Sequence, residues 1–361
     1  MKRFATILSI GLISTATYAA YPAATNPTEV SVPQLPGGFV VGGTLLYLQP
    51  TPTNGDLDYA TLTTINPVAS GQAFNTSTSV VSLDPSYTFG GGVNVGYIFP
   101  GTGNDINLSY IHLNSDDDST TVNGANQFIL PINTAILPVI PFPGLAYSSS
   151  SATTSVQYNI DQVDLSFGQF LEVGCRLVLH PFAGARFAAI ERKQQNNYVG
   201  TVSAPQFDIN NNPLLQQTNQ KSDFYGVGPL AGLDASYYLW RGIGLVGHFS
   251  GALMVGSIDA KQTATQALTL GSFFGETVNL TEDESIETNS STRIVPAVDA
   301  KWGLDYTYLF NNSIDSDLTI EAGYQVSQYF NAIDKVSLLD GATSTSNLGL
   351  NGPYISLTIH A

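Results

Sequence analysis

The chain has 361 residues and a net charge of −16, yet only 11% of its residues are charged and 43% are apolar. A soluble domain usually carries about 25% charged residues, so much of this surface needs no charge. Acidity without a basic patch excludes nucleic acid as a partner, and the ordinary apolar content excludes an all-helical membrane protein.

The first element in chain order is an export signal. Lys2 and Arg3 precede an apolar run from Phe4 to Ile13, and Thr17-Tyr18-Ala19 offers a small-residue cleavage site. The run is too short to cross a bilayer. No later stretch reads as a spanning helix. Residues 128–147 carry no charge, but Pro131, Pro138, Pro141 and Pro143 break any helix there. The single cysteine, Cys175, rules out an intramolecular disulfide.

Ten segments then alternate with the period of a strand. They are 39–49, 87–99, 104–113, 155–171, 175–191, 223–239, 243–257, 294–309, 317–330 and 353–360. The clearest sets Val298, Ala300, Trp302, Leu304, Tyr306 and Tyr308 against Asp299, Lys301, Gly303, Asp305 and Thr307. In 155–171 the phase slips between Ile160 and Val163, which predicts a bulge. The connections at 100–103, 172–174, 240–242 and 311–316 are short. Those at 50–86, 114–154, 192–222, 258–293 and 331–352 are long.

This alternation is what an up-and-down outer-membrane barrel requires, with short periplasmic turns and long extracellular loops. Lipid offers the backbone no hydrogen bonds, so a chain without spanning helices must cross as a closed barrel. Phe89 to Tyr97 covers roughly 26 Å at about 3.3 Å per residue, or about 20 Å of height at a tilt near 40°, close to the apolar band of such barrels. Aromatics gather near the short turns as a periplasmic girdle: Tyr97 and Phe99; Phe167 and Phe170; Tyr237, Tyr238 and Trp240; Tyr306, Tyr308 and Phe310. The expected fold is an all-β transmembrane antiparallel barrel of about ten strands. A further hairpin in 50–86 or 114–154 would make twelve. The expected organisation is a signal peptide at 1–19, a periplasmic segment at 20–38 and the barrel at 39–361.

At GGFVVGGTLLYLQPTPTNGDLDYA (37–60), YNIDQVDLSFGQ (158–169), GLDASYYL (232–239), GHFSGALMVGSID (247–259) and KWGLDYTY (301–308), the chain resembles the Legionella-type major outer membrane proteins, a pore-forming family. The likeness covers nearly the whole mature chain and implies an outer-membrane barrel, a porin and an abundant surface protein. The motifs are strand and loop-entry patterns, not catalytic ones. The chain closes on Ile359-His360-Ala361, where outer-membrane barrels often close on an aromatic.

The inward face supplies the pore-lining candidates Asp164, Arg176, Arg186, Asp234, Asp299, Lys301, Asp305 and Glu321, beside His180 and His248. Asp299 and Lys301, two apart on one strand face, are positioned to pair. Such charges either form a filtering constriction or fill a narrow barrel with salt bridges. Catalysis has weak support. His248 and Ser250 share a face, as in lipid deacylases, but lie in the inner half of a strand and face the lumen. His112 precedes Asp116, Asp117 and Asp118 in a solvated loop. The acidic runs lack the spacing of a Ca²⁺ loop, so no cofactor or metal is expected. Residues 128–147 are expected to pack over or into the barrel mouth. The functional expectation is passive diffusion of small hydrophilic solutes, and the alternative is a plugged barrel acting as a surface adhesin or structural protein. Expected partners are outer-membrane lipid, lipopolysaccharide and small solutes, with a host surface ligand and a homo-oligomer left open.

Overall fold

The computed structural model describes residues 30–67, 74–124, 126–132, 146–204, 209–273, 276–310 and 316–361. The signal at 1–19 and most of the proline-rich stretch, 133–145, lie outside the described residues. The described strands are β1 (Val30–Ser31), β2 (Gly38–Pro52), β3 (Asp58–Pro67), β4 (Phe74–Ser82), β5 (Thr88–Ile98), β6 (Asn104–Val122), β7 (Gln127–Pro131) and β8 (Ala146–Gln169). They continue as β9 (Leu171–Val173), β10 (Leu177–Ala204), β11 (Ile209–Trp240), β12 (Ile243–Phe273), β13 (Glu276–Glu287), β14 (Ser291–Leu309), β15 (Asp317–Val336) and β16 (Thr343–His360).

Ten of them form an antiparallel ring in the order β2-β5-β6-β8-β10-β11-β12-β14-β15-β16, closed where β16 pairs with β2 from Leu348↔Pro52 to His360↔Val40. These are the ten segments that the period-2 pattern marks. Large apolar side chains stand on the outside, among them Phe89, Phe167, Phe249, Trp302 and Leu304. Polar residues such as Asn94, Gln162, Arg186, Asp299 and Glu321 are buried inside. The polarity is that of a barrel in lipid, the reverse of a soluble one.

Short turns join the strands at one end. Arg241 and Gly242 form a two-residue hairpin with φ of 48° and 83°, the backbone that the tightest hairpins require. The aromatic belt lies at this end, with two exceptions: Tyr238 is half-buried and shares the parity of inward Asp234 and Ser236, and Phe170 turns inside. Phe170 is buried and stacks on His180 at 4.2 Å rather than facing outward. With Leu35, Val40 and Ile98 it forms a small core. Leu35 belongs to the segment that follows β1, which pairs with β9. The 32–37 segment therefore runs across the short-turn end as a floor.

Three expectations change. The long connections are largely strand: β10 has 28 residues and β11 has 32, whereas about 10 suffice to cross a membrane. The further hairpin left open in 50–86 exists as β3 and β4, but β3 pairs with β4 and β7 and does not enter the ring, which has the expected ten strands. No bulge occurs at 160–163, where β8 stays in register with both β6 and β10. Ile160 points inward, so the apparent slip is a change in what the interior holds. The register shift in the β8–β10 ladder lies instead at Val199/Gly200.

Candidate functional site

The inward-facing residues nearest the short turns build a polar layer from almost every ring strand. Arg186 on β10 is its hub. Its Nε and Nη2 donate to the two oxygens of Asp164 on β8, both at 2.8 Å, and Nη1 donates to Asp299 on β14 at 2.5 Å. Ser250 on β12 donates to the same Asp299 oxygen at 3.0 Å. Arg186 is only 2% exposed, and a buried guanidinium is tolerated here because its fork meets two carboxylates.

A second network crosses the lumen beside it. His180 binds Asp105 through Nε2 at 2.8 Å and Asp234 through Nδ1 at 3.0 Å. Asp234 reaches His248 Nδ1 at 2.9 Å, and His248 Nε2 meets Glu321 at 3.0 Å. Tyr354 donates to the same Glu321 oxygen. The chain thus links β6, β10, β11, β12, β15 and β16. Gly168 makes room for it, since a Cβ there would sit 2.1 Å from His180 Nε2 and 2.7 Å from Asp105 Oδ1.

Of the eight pore-lining candidates, Asp164, Arg186 and Asp299 meet in the first network, and Asp234 and Glu321 meet in the second. Lys301 stands over the Tyr354 ring at 5.6 Å and shares the cavity with both networks. Asp305 is buried inside on β14. Arg176 is exposed at the 174–176 turn and takes no part. Asp299 pairs across the lumen with Arg186 rather than with Lys301. Asp105, Tyr354 and Gln162 were missed, although each shares parity with inward residues of its strand. Ser250 bonds Asp299 and Arg186, not His248. His112 lies outside the lumen, bound to Asp161 at 2.8 Å beside Tyr110, and does not meet Asp116–Asp118. Among the described residues no cluster of His, Cys, Asp or Glu has the geometry to hold a metal ion.

The polar layer encloses a cavity of about 140 Å³, the scale of a few water molecules. Toward the long-strand end an apolar layer borders it. Leu46, Ile160, Phe224, Met254 and Ile333 pack inward from the ring, and Leu57 and Leu83 join them from the segments flanking the β3–β4 hairpin. Beyond these sits a buried ionic knot. Asp56 meets Arg192 at 3.2 Å, Lys335 at 3.3 Å and the Tyr158 hydroxyl at 3.2 Å. Burial pushes the Lys335 ammonium down to about 8, with Asp56 opposing the shift and Arg192 adding to it. The hairpin and β7 pack above through Tyr59, Ala60 and Ile129. The described part of the proline-rich stretch, at β7, therefore lies at this mouth.

Residues 31–361 match the family model of the Legionella pneumophila major outer membrane protein precursor. No curated protein matches. Among solved structures, the chain is similar to the outer membrane protease OmpT of Escherichia coli, at 9% identity and TM-score 0.39 over 93% of this chain and 100% of that one. It is also similar to a major outer membrane protein of Thermus thermophilus, at 12% identity and TM-score 0.25 over 74% of this chain and 98% of that one. A third is a Pseudomonas aeruginosa FadL homologue, at 10% identity and TM-score 0.24 over 90% of each chain.

Proposed function

Starting from a chain that belongs to the Legionella pneumophila major outer membrane protein family and resides in the outer membrane as a β-barrel, we propose that its barrel is closed at rest and acts as a structural, surface-presenting protein. One observation carries this reading: the apolar layer in which Leu57 and Leu83 meet the inward side chains of the ring. A solute moving along the lumen must displace that packing, and leave past the floor at Leu35 and Phe170. Buried packing of this kind costs several kcal/mol per large side chain to undo.

We orient the short turns to the periplasm and the long strands outward, as in other barrels of this class. Strands of 28 and 32 residues then lift the β3–β4–β7 cover well above the lipid, where it can meet a host ligand or a neighbouring cell. The interior is read as non-catalytic, because both nitrogens of His248 are taken by carboxylates and Ser250 is bound elsewhere.

A second reading, passive diffusion of small hydrophilic solutes, is favoured by the ionic layer and its cavity, since a purely structural filler has no need of so many charges. Planar-bilayer recordings separate the two. The closed barrel predicts no regular conductance steps from folded protein. Regular steps that are blocked by a lumen-filling polymer overturn it in favour of diffusion.

A further inference from the structure

The floor at the short-turn end is a thin strap. β1 pairs with β9 at two positions, Val30↔Val173 and Ser31↔Glu172. Beyond it Val32 lies over Gly103, where a Cβ would come within 2.7 Å of the valine side chain. Gly101 N–H donates to the Leu35 carbonyl at 2.8 Å, and the Leu35 side chain enters the core of Val40, Ile98 and Phe170. Gly37, at φ 77°, then turns the chain into β2. No other residue fits there, since a Cβ would meet Pro100 N at 2.7 Å. The segment has a glycine hinge at one end and a two-residue strand at the other.

Phe170 joins this small core to the polar layer, because its ring lies flat on His180 at 4.2 Å with an interplanar angle of 19°. His180 is itself clamped between Asp105 of β6 and Asp234 of β11. An ionised carboxylate only accepts hydrogen bonds, so both ring nitrogens carry a proton and the ring is a cation. His248 stands in the same relation to Asp234 and to Glu321 of β15. The charges of the cavity agree. Its described lining holds the carboxylates of Asp105, Asp164, Asp234, Asp299 and Glu321 against Arg186 and Lys301, and two imidazolium rings bring the layer close to balance. His360, on the same lining, is taken by Asp317 at 2.6 Å.

We propose that residues 30–37 form a hinged strap across the short-turn end of the lumen, latched by the protonated His180 ring through Phe170 and released when that ring loses a proton. A cation is drawn to the face of an aromatic ring, so the charged imidazole holds Phe170 inside. Removing either proton sets a nitrogen lone pair against a carboxylate oxygen, and the ring can no longer satisfy Asp105 and Asp234 together. His180 then shifts and Phe170 loses its support. The core that seats Leu35 comes apart, and the cavity opens to the short-turn side. The inference goes beyond the closed-barrel reading and does not depend on it, since the apolar layer at the other end takes no part.

The test is amide hydrogen exchange of the folded protein in non-ionic detergent at pH 6 and pH 10. Each rate is divided by that of the urea-unfolded chain at the same pH, which removes the base catalysis of exchange. Residues 30–37 and Gly101, whose N–H is bonded to the strap, are expected to lose protection by about tenfold at pH 10. Residues 304–308, on β14 at the same end, are expected to keep theirs within about twofold. In His180→Gln the strap is expected to be weakly protected at both pH values, with no step between them. Phe170→Leu fills the core without the stacked ring and supplies the same readout if the His180 variant does not fold. A step smaller than threefold in the wild type, an equal loss at 304–308, or a step that survives in the variant overturns the proposal.

Discussion

Replacing Arg186 by Met removes the guanidinium that satisfies both Asp164 and Asp299 in the polar layer. The side chains of Arg186, Asp164 and Asp299 are 2%, 15% and 12% exposed, so the stranded carboxylates gain little from water. Three charge-assisted hydrogen bonds vanish. Each is worth about 1.5–3 kcal/mol net when taken singly, but such values do not add within one network and carboxylates can take up protons and water, so loss of one partner from a buried pair typically costs about 3–5 kcal/mol. Reversible urea unfolding of the folded barrel from lipid vesicles measures this. The single variant is expected to lose about 3–5 kcal/mol, while the triple variant Arg186→Met, Asp164→Asn, Asp299→Asn recovers most of it, because no net charge is left buried. A loss below about 1 kcal/mol, or no rescue, refutes the view that this hub is desolvated and mutually satisfied.

Three more outcomes are expected from the same geometry. Gly168→Ala should cost about 1–3 kcal/mol in the same unfolding assay, because its Cβ drives His180 off Asp105, and should cost little in a His180→Ala background. Lys335 gives up its proton at about 8 in the folded protein against an ordinary 10.5. The unfolded chain therefore holds more protons between these values, and stability should rise with pH across that window by at most about 3 kcal/mol. Lys335→Met should flatten that slope, as read from unfolding at stepped pH; an unchanged slope contradicts the burial argument. Cys175, exposed at the 174–176 turn, should react with a membrane-impermeant maleimide only after the outer membrane is permeabilised. Labelling of intact cells reverses the orientation.

The ring was legible because one face of each strand is uniformly apolar and the other small or polar, a contrast that survives without any knowledge of partners. The strand extensions were not. In QQNNYVGTVSA, residues 194–204, both faces mix polar and apolar residues, with Tyr198 and Val202 buried on one and Val199 exposed on the other, so the period of two carries no clear hydropathy signal although the backbone still pairs. Ile160 looked like a slipped phase because the interior was assumed polar throughout, whereas it changes from ionic to apolar partway up. The parity of Asp164, Arg186, Asp234 and Glu321 puts them on the inward face, and all four line the interior cavity. Which of them meet was beyond reach, since Arg186 and Asp299 are joined across the lumen, where curvature and shear decide distance. Asp299 and Lys301 are neighbours on one strand face, but the guanidinium fork opposite makes the better match for the carboxylate.

The seam between β2 and β16 fixes the order in which this molecule can be assembled. Phe39 and Ala361 exchange both backbone hydrogen bonds, at 2.8 and 3.0 Å. Joining two points separated by about 320 residues costs roughly 5 kcal/mol of chain freedom if nothing between them is organised, and far less once the intervening hairpins have formed. Zipping of neighbours must therefore come first and circularisation last. Until that step both rims of a half-built sheet are open to pairing, which makes the nascent protein a client for escort and the final stitch the moment at which self-association stops.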